Sequence, residues 1–171
     1  MIFSFRCEIA LICGRINPQI REEKKTDAVY RQMIAREEDE NASSLILRVT
    51  VNGTRLLATG DLGEEGERQL LAYGDSGRGA GADGPLHADI LKVGHHGSRF
   101  GSSEEFLDAV SPSIAVIQVG ENNMYGHPTA EVLQRLAARG IPVYRNDLQG
   151  AVGIKLRGGA IRQVKTMLRS P

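Results

Sequence analysis

Residues 88–98 read Ala88-Asp89-Ile90-Leu91-Lys92-Val93-Gly94-His95-His96-Gly97-Ser98, a short apolar run that ends in a glycine-flanked histidine pair. A run of this length stopped by glycine fits a strand inside an α/β protein. Adjacent imidazoles on a turn have no packing role, and Gly94 and Gly97 permit close backbone approach and unusual dihedrals. In α/β sheets, ligand-binding side chains collect beyond the ends of strands, where the backbone turns. One stretch thus predicts a fold class and a place for chemistry.

The pattern on either side agrees. Ser44–Thr50 and Arg55–Thr59 read as two strands joined by Val51-Asn52-Gly53-Thr54, and Asn-Gly is a strong hairpin signal. A helix is expected from Glu64 to about Tyr73, then a flexible surface loop over Gly74–Pro85. After the strand Ala88–Val93 come a helix over Ser103–Val110, with Ser102 and Glu105 as a capping box, and a nearly continuous apolar strand, Ile114–Val119. The clearest helix is Thr129–Arg139, with Val132, Leu133, Leu136 and Ala137 on one face, Pro128 in the first turn and Gly140 as its stop. Pro142–Tyr144, Ala151–Leu156 and Ala160–Leu168 are short strand candidates, the last two joined at Gly158-Gly159. This order gives the α/β class: a mixed sheet with helices packed on it.

Composition narrows the function. The chain has 171 residues, 41% hydrophobic and 25% charged, which suits a single packed domain and excludes wholesale disorder. Lys+Arg and Asp+Glu both number 21, so net charge gives no global pull toward nucleic acid or an anionic membrane. With no Trp and four each of Tyr and Phe, a broad stacking surface for single strands is not expected. The apolar start, Met1–Ile16, is interrupted by Arg6 and Glu8 and falls short of the roughly 20 residues of a membrane span. It also lacks an export pattern, so the chain as sequenced is expected in the cytoplasm. Cys7 and Cys13 then read as small buried thiols in a reducing compartment. Twelve of residues 21–40 are charged, and Val29, Met33 and Ile34 make a thin stripe on a surface helix over about 25–37, or a connector. Residues 1–40 form an atypical N-terminal segment, distinct from 41–171.

Three loops carry metal-capable side chains directly after strands: Thr59-Gly60-Asp61, Gly94-His95-His96-Gly97-Ser98, and Tyr125-Gly126-His127-Pro128. Read singly, Asp61 is also a helix cap with Glu64 three residues on, and His127 before Pro128 is also a cap. Together the loops look like part of a metal centre, since zinc prefers imidazole nitrogen and carboxylate oxygen. His87 precedes its strand rather than following it and reads as a surface residue.

These loops carry a resemblance. Asn41-Ala42-Ser43-Ser44-Leu45, Leu57-Ala58-Thr59-Gly60-Asp61, the 88–98 run and Asn122-Asn123-Met124-Tyr125-Gly126-His127-Pro128 resemble the C-terminal half of a metallo-β-lactamase-fold hydrolase. The likeness is closest to the hydrolase domain of ComEC/Rec2-type competence proteins, which act in DNA uptake, and to its stand-alone relatives. It covers Asn41 to Leu156. It implies an αββα sandwich, present here as an incomplete C-terminal half. It also implies divalent metal, usually zinc and sometimes manganese, and hydrolysis of phosphodiester or related ester bonds. By similarity Asp61 is the bridging carboxylate. One of His95 and His96 is a ligand, with His96 preferred, and the other meets metal or substrate phosphate. His127 orients or protonates the substrate, and Ser98 with the start of the following helix offers an anion cradle.

The chain departs from that pattern. Such enzymes carry an N-terminal His-x-His-x-Asp-His run, and here no histidine precedes His87. Asp61, His95, His96 and His127 are expected to hold at most one weakly bound ion and to give little or no hydrolysis at neutral pH. Two explanations are open: a piece of a longer hydrolase that needs its N-terminal half or a partner chain, or a degenerate domain kept for binding or assembly. The first is favoured, and in a longer protein of this type the domain would be membrane-associated. The substrate is expected to be DNA or a small phosphoester. The alternative is a catalytically dead nucleic-acid-binding or assembly module, whose basic face would draw on Lys92, Arg99, Arg135, Arg139 and Arg145 and on a basic tail of Lys155, Arg157, Arg162, Lys165 and Arg169, although such charges are also ordinary on a solvated strand.

Overall fold

A computed structural model describes residues 44–72 and 84–168 in full, and the backbone of 7–12, 15–16, 27–32 and 73–74. The chain begins with β1 (Cys7–Ile12), β2 (Arg15–Ile16) and β3 (Asp27–Gln32), followed by the hairpin β4 (Leu45–Val51) and β5 (Thr54–Ala58). Helix α1 (Glu64–Gly74) leads to β6 (Ile90–Lys92), the histidine turn, α2 (Glu104–Val110), β7 (Ile114–Ile117) and α3 (Ala130–Ala138). Strand β8 (Val143–Arg145), the short α4 (Asn146–Gln149), β9 (Val152–Arg157) and β10 (Ala160–Thr166) complete the order.

Two sheets form. The larger has the order β3-β4-β5-β6-β7-β8 and the smaller β10-β9-β1-β2. In the larger sheet β5, β6, β7 and β8 are parallel, with Leu56 opposite Ile90 and Ile90 opposite Ile114, while β3 and β4 run antiparallel beside them. Side-chain alternation then divides the core in two. Leu57, Leu91, Ala115 and Ile117 face the helices and meet Leu70 of α1, Phe106, Leu107 and Val110 of α2, and Val132 and Leu136 of α3. Their neighbours Leu56, Ile90, Ile114 and Val116 face the other way, onto Val152, Ile154 and Leu156 of β9. The molecule is therefore a mixed α/β sandwich, with a helical layer, a central sheet and a second sheet beneath it. All four residues of β7 are buried because both faces of that strand are covered.

Most of the expected elements stand within a residue or two of their place. The Asn-Gly hairpin is present, with positive φ at both Asn52 (50°) and Gly53 (91°), as its twist requires. Three expectations are corrected. Residues 27–32 are a strand, not part of a helix over 25–37. They pair with β4 from Asp27 opposite Thr50 to Gln32 opposite Leu45, which satisfies the backbone edge of β4 that a solvated helix would leave open. The cap of α2 is Ser103, whose side chain accepts from the Phe106 N–H, because Ser102 sits at φ 54° with its own N–H donated to Glu67. His87 is 8% exposed rather than on the surface, and its Nδ1–H donates to the Val110 carbonyl across the start of the sheet (3.0 Å). The expected loop over 74–85 lies largely outside the described residues, as do the cysteine side chains and Asn41-Ala42-Ser43. Among the described residues no helix is long and apolar enough to cross a membrane.

Candidate metal-binding and catalytic site

Parallel β5, β6 and β7 end on the same edge of the sheet, and the three loops that leave them carry Asp61, the histidine pair and His127. Position alone therefore gathers the residues that the sequence singled out.

The histidine pair sits on a single tight turn, Gly94–Gly97, in which His95 (φ 45°, ψ 41°) and His96 (φ 53°, ψ 20°) are both left-handed. For residues with a Cβ this conformation costs about 1–2 kcal/mol each. The turn is held by three backbone bonds: the His95 N–H donates to Gly60, the Ser98 N–H to His95, and the Thr129 N–H to Gly97. Gly97 (φ 83°) packs so closely on the next loop that a Cβ there would lie 2.6 Å from Cβ of Pro128.

The turn aims the two imidazoles differently. Nδ1 of His96 lies 2.5 Å from the Gln118 carbonyl oxygen, and a carbonyl only accepts, so that nitrogen carries the proton. Nε2 of the same ring lies 3.5 Å from Oδ1 of Asp61. His95 turns instead toward His127, edge to face with ring centroids 5.8 Å apart, and exposed Tyr125 stacks on His127 at 6.0 Å. Nδ1 of His95 and Nδ1 of His127 are buried without a hydrogen-bond partner among the described residues.

Supporting residues fix each piece. The Asp61 N–H donates to Oγ of Ser44 (3.0 Å), and the Lys92 ammonium donates to the Gly60 carbonyl (2.8 Å). Asn123 brackets His127, accepting its N–H (2.9 Å) and donating to its carbonyl (2.7 Å). Glu67, 2% exposed, accepts the N–H groups of Ser102 (2.5 Å) and Ser103 (2.9 Å), while Arg135 donates to the carbonyls of Gly101 and Ser102. The 99–103 segment, which carries exposed Arg99, is thus tied from both sides. Sequence reading gave Glu67 and Asn123 no role of their own, and gave Lys92 and Arg135 only as candidates for a basic face. Asn123 had a signal, as an asparagine shortly before a proline in a turn-rich loop. Glu67 carries no such signal, standing among the acids of the first turn of α1.

Charges of both signs gather here, with Asp61 near Lys92 and Arg99 in an ion pair with Glu131 (4.0 Å). His127 is held below the usual imidazole range by burial, then by His95, His96 and Arg99. Burial also pulls Lys92 down, against the attraction of Asp61.

The donor set matches a cation in part. Two ligands of one tetrahedral zinc, each bound at about 2.0–2.2 Å, stand roughly 3.3–3.5 Å apart, which is the spacing of the Asp61–His96 pair (3.5 Å). Among the described residues no group of three or more His, Cys, Asp or Glu side chains is placed to hold a metal. Asp61 and His96 fit as one edge of a metal centre, and the described chain does not complete it.

No protein-family model matches the chain. It is similar to Competence protein ComA of Neisseria gonorrhoeae, 43% identical over 125 residues, which are 72% of this chain and 17% of that protein. It is also similar to ComE operon protein 3 of Bacillus subtilis, 39% identical over 113 residues (66% of this chain, 13% of that protein). Recombination protein 2 of Haemophilus influenzae is 31% identical over 115 residues (67% of this chain, 13% of that protein). The chain spans less than a fifth of the length of these relatives. It is a distant homologue of one segment of the competence proteins ComA, ComE operon protein 3 and Recombination protein 2.

Proposed function

We propose that this chain carries one flank of a metal-dependent hydrolase site of metallo-β-lactamase type, acting on phosphodiester or related ester bonds within a competence-type protein. The observation that carries the reading is His96, fixed by the Gln118 carbonyl with its Nε2 facing Asp61. An imidazole with one nitrogen tied to a carbonyl and the other turned to the ligand cluster is the usual arrangement of a metal-ligating histidine. A divalent cation bound there, zinc or manganese, supplies Lewis acidity and lowers the pKa of water.

The chain's own residues do the rest. Asp61 and His96 hold the cation, with His95 beside them. His95 and His127 pack edge to face beside that pair, and His127 orients the substrate or protonates it. Exposed Arg99 at the edge of the site favours an anionic phosphodiester over a neutral ester. Similarity to a competence protein and to a recombination protein supports DNA as the substrate. The remaining ligands come from an N-terminal half or a partner chain, so the chain alone turns over little or nothing at neutral pH.

Zinc competition against a chromophoric chelator tests this. One weak site is expected in the wild-type chain, weakened at least tenfold in Asp61→Ala and in His96→Ala. Equal zinc uptake by all three chains refutes the assignment. Metal-independent, salt-sensitive DNA retention with no zinc site would instead establish the nucleic-acid-binding module.

A further inference from the structure

We propose that Lys92 is a positioning residue of this site: through the Gly60 carbonyl, its ammonium holds the Asp61 turn against the His95–His96 turn. The inference rests on the metal-pair reading above for its zinc measurement and stands on geometry for the rest.

Lysine is almost never fully buried unless its charge is matched. Lys92 is 7% exposed in the middle of the larger sheet, paired with Ala58 on one side and Val116 on the other. Its Nζ–H donates to the Gly60 carbonyl at 2.8 Å, and the same oxygen accepts the His95 N–H at 3.1 Å. That oxygen is the point where the loop bearing Asp61 and the loop bearing the histidines meet. The N–H of the same peptide unit, on Asp61, donates to Ser44 at 3.0 Å. One peptide plane is therefore held at both ends, by Lys92 and His95 on the oxygen and by Ser44 on the nitrogen. Its orientation sets the direction in which Asp61 leaves the backbone, toward Nε2 of His96.

Charge and position make opposite predictions. A cation beside a metal-binding carboxylate repels the metal, so removing it on charge grounds alone strengthens metal binding. If Lys92 acts by position, removing it loosens the Gly60–Asp61 peptide and weakens binding, although the charge change favours the metal. A purely structural residue would lower stability and leave a still-folded variant with its site intact.

The test uses Lys92→Met, which keeps the aliphatic stem and removes the ammonium, with zinc alone as the probe. Expected are a folded protein, zinc affinity reduced tenfold or more, and amide exchange at the His95 N–H at least tenfold faster. Exchange at the Val93 N–H, which donates to Val116, stays as in wild type. Unchanged or tighter zinc binding together with wild-type protection at His95 overturns the proposal. Lys92→Cys in a Cys7→Ser, Cys13→Ser background supplies the rescue: S-aminoethylation in denaturant followed by refolding returns an ammonium at lysine's reach. The proposal requires that this modification restore His95 protection, and failure to do so overturns it even where Lys92→Met does not fold. Should the wild-type chain take up no zinc, the metal reading fails, while the comparison of His95 and Val93 exchange still decides the role of Lys92.

Discussion

Substituting Gly97 by alanine isolates the contact that joins the histidine turn to the His127 loop. Two separable costs arise. At φ 83° an added Cβ meets the left-handed penalty of about 1–2 kcal/mol. The same Cβ would stand 2.6 Å from Cβ and 3.1 Å from Cα of Pro128, with Ile117 Cγ2 at 3.6 Å, so it strikes a buried ring and backbone rather than a flexible side-chain tip. Overpacking of that kind costs about 1–3 kcal/mol, for a total of about 2–5 kcal/mol. Gly140 gives the control: its φ is 65° and nothing lies within 4 Å of its added Cβ, so Gly140→Ala carries the backbone term alone. Urea unfolding followed by far-UV circular dichroism measures both variants, and a shared m-value licenses the comparison. Gly97→Ala is expected to fall below Gly140→Ala by about 1–3 kcal/mol. Movement of Pro128 also carries His127 away from His95, visible as changed imidazole resonances of both. Equal destabilisation by the two alanines would refute the reasoning, since the close approach of the loops would then carry no energy.

Burial raises the Glu67 carboxyl above its ordinary 4.5, outweighing the N–H bonds from Ser103 and Ser102. The folded state thus holds the proton more tightly, so this group's contribution is full below the ordinary value and is lost as pH rises through the raised one. Glu67→Gln should flatten that limb of the stability profile, and an unchanged profile would show that Glu67 does not titrate there. Asn123→Ala removes the bonds to both backbone groups of His127 and is expected to cost about 1–3 kcal/mol. It should also speed exchange of the His127 N–H, whereas preserved protection would show that the loop is held by other contacts.

The sheet was legible wherever one physical signal dominated. Buried parallel strands leave near-continuous apolar runs, so Ile114–Ile117 and Ile90–Lys92 announced themselves, and Asn52-Gly53 fixed the hairpin. Strand β3 was not legible, because pairing with β4 is a backbone property that the charges around residues 27–32 obscure. His87 was misread for a related reason: sequence shows its position before the strand but not that the Val110 carbonyl needs a donor there. In the site, residue types were readable and their orientations were not. Nothing in Gly94-His95-His96-Gly97 reveals that the histidines themselves, and not only the glycines, take left-handed dihedrals. That choice decides which imidazole meets Asp61 and which meets His127.

Two consecutive left-handed residues send adjacent side chains to different targets, and the turn tolerates the strain because its ends are tied to Gly60, Thr129 and Pro128. Along a regular strand the two rings would point to opposite faces of the sheet, and one would be lost to the core. Here His96 joins Asp61 and His95 joins His127, giving two separate contacts from one dipeptide. Asp61 and His96 are each held from within, by Ser44 behind the Asp61 backbone and the Gln118 carbonyl behind the His96 ring, while about half of each side chain faces solvent. If the proposed cation binds this pair, its further ligands have to arrive from the solvent side. A segment delivering them would close the site without rearranging the residues already in place.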